Sequence, residues 1–153
     1  MSATARMAAL GIELPDVATP LASYVPAVRT GSFVYTSGQL PLVDGELLAT
    51  GRVGVEVDEQ TALACARRCA LNALAAVEAE VGDLDRVRRV VKVTGFVASP
   101  PEFTGQPRVL NGASDLLGEI FADAGRHARS AVGVSALPLG APVEVELVVE
   151  VDG

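Results

Sequence analysis

The segment from Arg86 to Ala98 constrains this chain more than any other. Its apolar and β-branched residues fall on both parities, with Val91, Val93 and Val97 on one side and Val90, Thr94 and Phe96 on the other. Such a run reads as a central strand buried on both faces. The last strand is patterned differently. Val143, Val145, Leu147, Val149 and Val151 alternate with Glu144, Glu146, Val148, Glu150 and Asp152, the period-2 signature of a strand with one polar face.

Two helices are expected to cover this sheet. Asp58 is placed to cap the first, because its carboxylate can accept from the open amides of the first turn, and Glu59 adds favourable charge. Ala62, Ala66, Cys69, Ala70, Ala73, Leu74, Val77 and Val81 then recur at helical spacing, and Gly82 supplies the stop. The second helix is expected from Pro107 to Ala124, with Val109, Leu110, Ala113, Leu116, Leu117, Ile120 and Phe121 as its apolar stripe and Gly125 as its stop. Val25 to Thr30 and Phe33 to Ser37, separated by Gly31-Ser32, signal a hairpin. Gln39 to Val57 reads as a loop with one short strand near Leu47 to Arg52, and Ser130 to Leu137 as a further strand.

The order β-β-(β)-α-β-α-β-β defines an α+β fold, a mixed sheet of about six strands with two helices on one face. Residues 1–22 read as an arm, with Ala3 to Leu10 Ala-rich and Gly11, Pro15 and Pro20 following, and residues 23–153 as a single domain. Helices on one side leave the other face of the Arg86 to Ala98 strand uncovered. Self-association is the simplest way to cover it.

Composition narrows the function classes. With 12 basic and 19 acidic residues the formal charge is −7, and Lys92 is the only lysine. The basic residues are scattered and aromatics make up 4% of the chain, so neither a phosphate-binding patch nor a base-stacking platform is present, and no nucleic-acid partner is expected. No apolar run reaches the ~18 residues of a membrane span, and no signal-peptide layout precedes Glu13 and Asp16. A soluble, cytoplasmic chain without a membrane partner is the expectation. One histidine and two cysteines offer almost no raw material for a zinc site or a disulfide framework.

Few residues remain to carry chemistry. Arg129, at the mouth of the strand beginning at Ser130, is either a solvated charge or a guanidinium fork for a substrate carboxylate. Glu144 and Glu146 point to one side of the last strand, as a polar sheet face or as a base for water if a neighbouring arginine keeps one ionised. His127 could act as acid or base, yet no orienting partner is evident and a structural role competes. Cys65 and Cys69, one turn apart on the apolar stripe, read as small hydrophobes. Ser37, Gly38 and Gln39 form either an ordinary turn or a set of donors for an anionic ligand.

The blocks Tyr35-Thr36-Ser37-Gly38-Gln39-Leu40-Pro41, Ala128-Arg129-Ser130-Ala131-Val132, Leu137-Pro138 and Val143-Glu144-Val145-Glu146 resemble, in this order, the RidA/YjgF family, also called endoribonuclease L-PSP. Asn111 to Asp115 and Gly125 to Arg129 resemble a longer-chain branch of that family. The resemblance implies a chorismate-mutase-like fold, a homotrimer with clefts between subunits in a barrel-like assembly, and cofactor-free, metal-free hydrolysis of reactive 2-imino acids to 2-keto acids and ammonia. By the same resemblance Arg129 binds the substrate carboxylate, Glu144 activates water, Tyr24, Ser37 and Gly38 line the cleft, and Asn111 joins it from the second helix. His127 stands where the family usually has Pro, and Ala131 where many members have Cys. Two alternatives stay open: a non-catalytic trimer that binds small carboxylates or acts as a regulatory or chaperone-like partner, and a ribonuclease, as the older family name suggests.

Overall fold

A computed structural model describes residues 1–153. Helix α1 (Ala3–Leu10) is capped by the Ser2 hydroxyl and closed by Gly11 at φ 68°. Strands β1 (Ala27–Thr30) and β2 (Phe33–Thr36) follow as a hairpin turning at Gly31-Ser32. A small hairpin of β3 (Leu42–Val43) and β4 (Glu46–Leu47) precedes α2 (Glu59–Val81), β5 (Val87–Ala98), α3 (Gln106–Phe121), β6 (Ala128–Val134) and β7 (Val143–Val151). The main sheet has five strands in the order β1-β2-β7-β5-β6. All its pairs are antiparallel except β5 with β6.

The helix signals act as expected. Asp58 accepts from the Thr61 amide at 2.7 Å, and Gly82 ends α2 at φ 89°. α3 runs Gln106–Phe121 and its last turn tightens into a 3₁₀ segment, Ala122–Gly125. Both helices lie on one face. Gly95 of β5 faces Leu110 of α3, Cys69 of α2 approaches the carbonyl of Val143, and Val143, Val145, Leu147, Val149 and Val151 are all buried beneath them. The fully buried Leu110, Leu116, Leu117 and Ile120 each stabilise the fold by about 1.5–3 kcal/mol through burial. α2 and α3 approach closely because Gly112 of α3 lies against the backbone of Leu63, where no side chain would fit.

The structure corrects two of the sequence expectations and adds a helix to a third. The strand near Leu47 to Arg52 does not form, so the sheet has five strands rather than about six, and the loop instead holds the β3-β4 hairpin. Its turn is Asp44-Gly45, both at positive φ (52° and 83°), the Asp-Gly pair that two-residue hairpins favour. The expected arm contains a real helix: Ala3 and Met7 join the core, the Thr4 amide donates to Asp85 at 2.8 Å, and Arg6 Nε donates to the Glu119 carbonyl at 3.0 Å. Finally, β5 is interior but not buried on both faces. Register shifts between Val87 and Arg89 and between Val90 and Lys92 are bulges that reverse parity. Val90 thereby joins Val93 and Val97 beneath the helices, while Lys92, Thr94 and Phe96 face the other way and are only half-buried.

That other face is open. It carries Phe33, Tyr35 and Val28 on the hairpin and Val132 on β6, between 39% and 52% exposed, beside half-buried Phe96 and Val148. No helix of the chain is long and apolar enough to cross a membrane.

Candidate functional site

The residues singled out by sequence fall into two groups, and the sheet separates them. Arg129 lies on edge strand β6 opposite Val93 of β5, which places its side chain on the helix-covered face. There α3 holds it. Arg129 Nη1 donates to Asn111 Oδ1 at 3.0 Å and to Ser114 Oγ at 3.1 Å, and Nη2 donates to the Pro107 carbonyl at 3.2 Å. Three of the five guanidinium N–H groups are thus engaged within the chain. Nε–H and one Nη2–H remain, the side-on pair that matches a carboxylate bidentately.

His127 belongs to this group. Its Nδ1 lies 2.6 Å from the Gly125 carbonyl and its Nε2 2.8 Å from Ser114 Oγ. A carbonyl only accepts, so Nδ1 carries a proton, and in the neutral ring Nε2 accepts from the Ser114 hydroxyl. The partner that the sequence does not reveal is Ser114, on α3 at the position facing Asn111 one turn away. Its spacing of three from Asn111 is the signal available in the sequence.

The second group gathers where β2 meets β7. Ser37 Oγ donates to the Val25 carbonyl at 2.5 Å, and the Ser37 amide donates to Pro26 at 2.8 Å. Gly38 lies directly against Glu144, so closely that a Cβ at Gly38 would collide with the carboxylate. Tyr24 shares a small hollow with Pro26, Gly38 and Gln39, and its hydroxyl accepts from the Leu21 amide at 3.3 Å. Glu144 pairs with Phe96, hence it sits on the open face. Burial pushes its carboxyl above the usual carboxylate range, and Glu146 on the same face pushes the same way. No arginine holds it ionised: the ion pairs of the chain engage Glu59, Glu119, Asp123 and Asp152.

Arg129 with Asn111 and His127, and Glu144 with Tyr24, Ser37 and Gly38, therefore stand on opposite faces of one sheet. Cys65 and Cys69 belong to neither group. Both are fully buried, and burial raises the Cys65 thiol to about 11 and the Cys69 thiol well above its ordinary value, as expected of packing residues. No three His, Cys, Asp or Glu side chains are grouped to hold a metal ion.

An antiparallel-rich sheet backed by two helices, with an edge-strand arginine held by the second helix and a glutamate on the open face, defines a small α+β protein. Residues 4–151 match the family described as "YjgF/chorismate_mutase-like, putative endoribonuclease", and the chain belongs to this RidA/YjgF family. It is 48% identical to Protein TCP17 of Trypanosoma cruzi over 97% of this chain and 93% of that one. It is 32% identical to a 2-iminobutanoate/2-iminopropanoate deaminase of Dermatophagoides farinae over 92% of this chain and 95% of that one. Among solved structures, the protein Atu1372 of Agrobacterium tumefaciens, titled as of unknown function, superposes with a TM-score of 0.90 at 45% identity, covering 99% of this chain and 93% of that one.

Proposed function

We propose that the chain is a cofactor-free enamine/imine deaminase that hydrolyses 2-imino acids in clefts shared between the subunits of a homotrimer. The observation that carries this reading is the division of the site: a carboxylate fork with two free donors lies on one face of the sheet, and a half-buried glutamate lies on the other. One chain cannot bring the two together. The apolar open face supplies the means: docking it on a second copy would bury Phe33, Tyr35 and Val132, and because Arg129 lies on edge strand β6, such docking would bring Glu144, Ser37 and Gly38 beside a neighbour's Arg129.

In such a cleft Arg129 Nε–H and Nη2–H grip the substrate carboxylate and fix the imine carbon. Glu144 accepts a proton from water as the water oxygen bonds to that carbon and the C=N π pair moves to nitrogen. From the protonated imine this gives a neutral amino alcohol; Glu144 returns its proton to the amino nitrogen, the C–N bond breaks to release ammonia, and the adduct's hydroxyl proton passes to Glu144 as the C=O of the 2-keto acid forms. A buried carboxylate with a raised pKa is the stronger base for this step. The relative named as a deaminase supports the same reaction class.

A second reading is favoured by the missing arginine beside Glu144: a trimer that binds small carboxylates at Arg129 without turnover, in a regulatory or chaperone-like role. Ribonuclease activity stands third, against the charge of −7. A coupled assay of 2-iminobutyrate and 2-aminoacrylate loss, run beside measurement of oligomer mass, tests the proposal. Acceleration by a trimer that vanishes in Arg129→Ala is the expected result. Binding of 2-oxobutyrate without turnover establishes the second reading, and a stable wild-type monomer refutes the shared cleft.

A further inference from the structure

We infer that Ser114 and His127 are positioning residues that set the guanidinium of Arg129 for a carboxylate ligand, with His127 acting only through Ser114. The inference rests on the carboxylate-clamp reading of Arg129. The Arg129 side chain is half-buried at an open edge strand, and no acidic side chain pairs with it. Three neutral acceptors from α3 hold it instead: Asn111 Oδ1, Ser114 Oγ and the Pro107 carbonyl. Neutral acceptors orient a guanidinium while leaving its full charge for the ligand, where a carboxylate partner would compete with that ligand.

Of the three acceptors, the serine hydroxyl is the one whose direction is not set by its own geometry. A hydroxyl rotates, and it accepts well from Nη1 only when its proton points elsewhere. His127 determines where. With Nδ1–H anchored on the Gly125 carbonyl at 2.6 Å, the ring presents Nε2 as an acceptor 2.8 Å from Ser114 Oγ. The Ser114 proton is drawn to Nε2 and the oxygen lone pairs turn toward Arg129 Nη1 at 3.1 Å. The chain of contacts runs Gly125, His127, Ser114, Arg129, and its end is fixed, because Gly125 is buried where a Cβ would meet the Leu117 carbonyl of α3.

The order of action is testable by a double-mutant cycle. In the trimeric protein, Ser114→Ala should raise KM for 2-iminobutyrate about tenfold with kcat within about twofold, the loss of one charged hydrogen bond to the clamp. Ser114→Thr, which keeps the hydroxyl, should restore KM to within about threefold of wild type. His127→Phe should raise KM about threefold in the wild-type background and leave it unchanged in Ser114→Ala. Effects of the two substitutions that multiply overturn the relay, as does an unchanged KM in Ser114→Ala with melting temperature and trimer mass intact. The same series read as 2-oxobutyrate affinity by calorimetry separates the two claims. If Arg129→Ala loses binding and Ser114→Ala does not, the positioning role fails and the clamp survives. If Arg129→Ala binds as wild type, or wild type does not bind at all, the clamp fails and the relay with it.

Discussion

Two glycines on α3 should respond to the same substitution with opposite sign. At Gly118 an added Cβ meets nothing within 4 Å, so Gly118→Ala removes backbone freedom from the unfolded chain at no steric cost and should stabilise by about 1 kcal/mol. At Gly112 the methyl collides with the Leu63 carbonyl oxygen and lies 3.0 Å from its carbon and 3.3 Å from Ala66 Cβ. Backbone cannot swing aside as a side chain does, so overpacking costs about 3 kcal/mol, the upper end of its usual range. Offset by the same gain of about 1 kcal/mol in propensity, Gly112→Ala should lose about 2 kcal/mol. Since 1 kcal/mol moves the midpoint of a chain of this size by about 2–4 °C, circular dichroism melts at one fixed protein concentration should show Gly118→Ala rising by about 2–4 °C and Gly112→Ala falling by about 4–8 °C. Because Asn111 and Ser114 flank Gly112 and hold Arg129, Gly112→Ala should also weaken carboxylate binding, and Gly118→Ala should not. A rise in midpoint for both variants refutes the close α2-α3 contact and its role in placing the clamp.

Glu146→Gln should move the acidic limb of the pH–rate profile downward, because Glu146 is one of the two causes holding the Glu144 carboxyl above its ordinary value. An unmoved limb removes Glu144 as the titrating base. The sign for stability is the reverse of a paired carboxylate: with the folded value raised, the wild type is favoured at low pH and loses that contribution as pH climbs from the ordinary carboxylate value through the raised one, so denaturant midpoints of Glu144→Gln should lack this decline. Gly38→Ala should abolish turnover by displacing the Glu144 carboxylate while 2-oxobutyrate still binds at Arg129; retained kcat contradicts the shared role. Val132→Asp, on the open face and 44% exposed, should give monomers by sedimentation and no activity, and an active monomer would rule out the two-subunit cleft.

Much of this architecture is written in short-range chemistry. Asp58 and Gly82 mark the ends of α2 because caps depend on residues within one turn, and β7 is plain because nothing interrupts its alternation. The β5 parity was not legible, since a bulge leaves the apolar pattern looking continuous while exchanging which residues face the helices. The Asp44-Gly45 turn carried a usable signal, hidden by the surrounding Gly- and Pro-rich loop. Arg129, Glu144, His127, Ser37 and Gly38 are already candidates by residue type and position, and the resemblance to relatives joins them, with Tyr24 and Asn111, into one candidate site. The placement of Arg129 and Glu144 on opposite faces depends on the register of β6 against β5 and of β5 against β7, which pairs residues more than thirty apart and leaves no local trace. Ser114 was similarly hidden, because a serine on a helix declares no partner until the strand beside it is in place.

The Gly38 contact with Glu144 has a consequence for how such a site can change over time. On the proposed function, the carboxylate-binding end is carried by α3 and β6 and the water-activating end by β2 and β7, with a sheet between them. Substitutions at Asn111, Ser114 or Ala131 can retune which acids are accepted while Glu144 stays wedged against a backbone with no side chain. The reverse also holds. On that proposed function, substitutions on one face would change the ligand, and substitutions on the other the catalysis, each leaving the opposite face as it was.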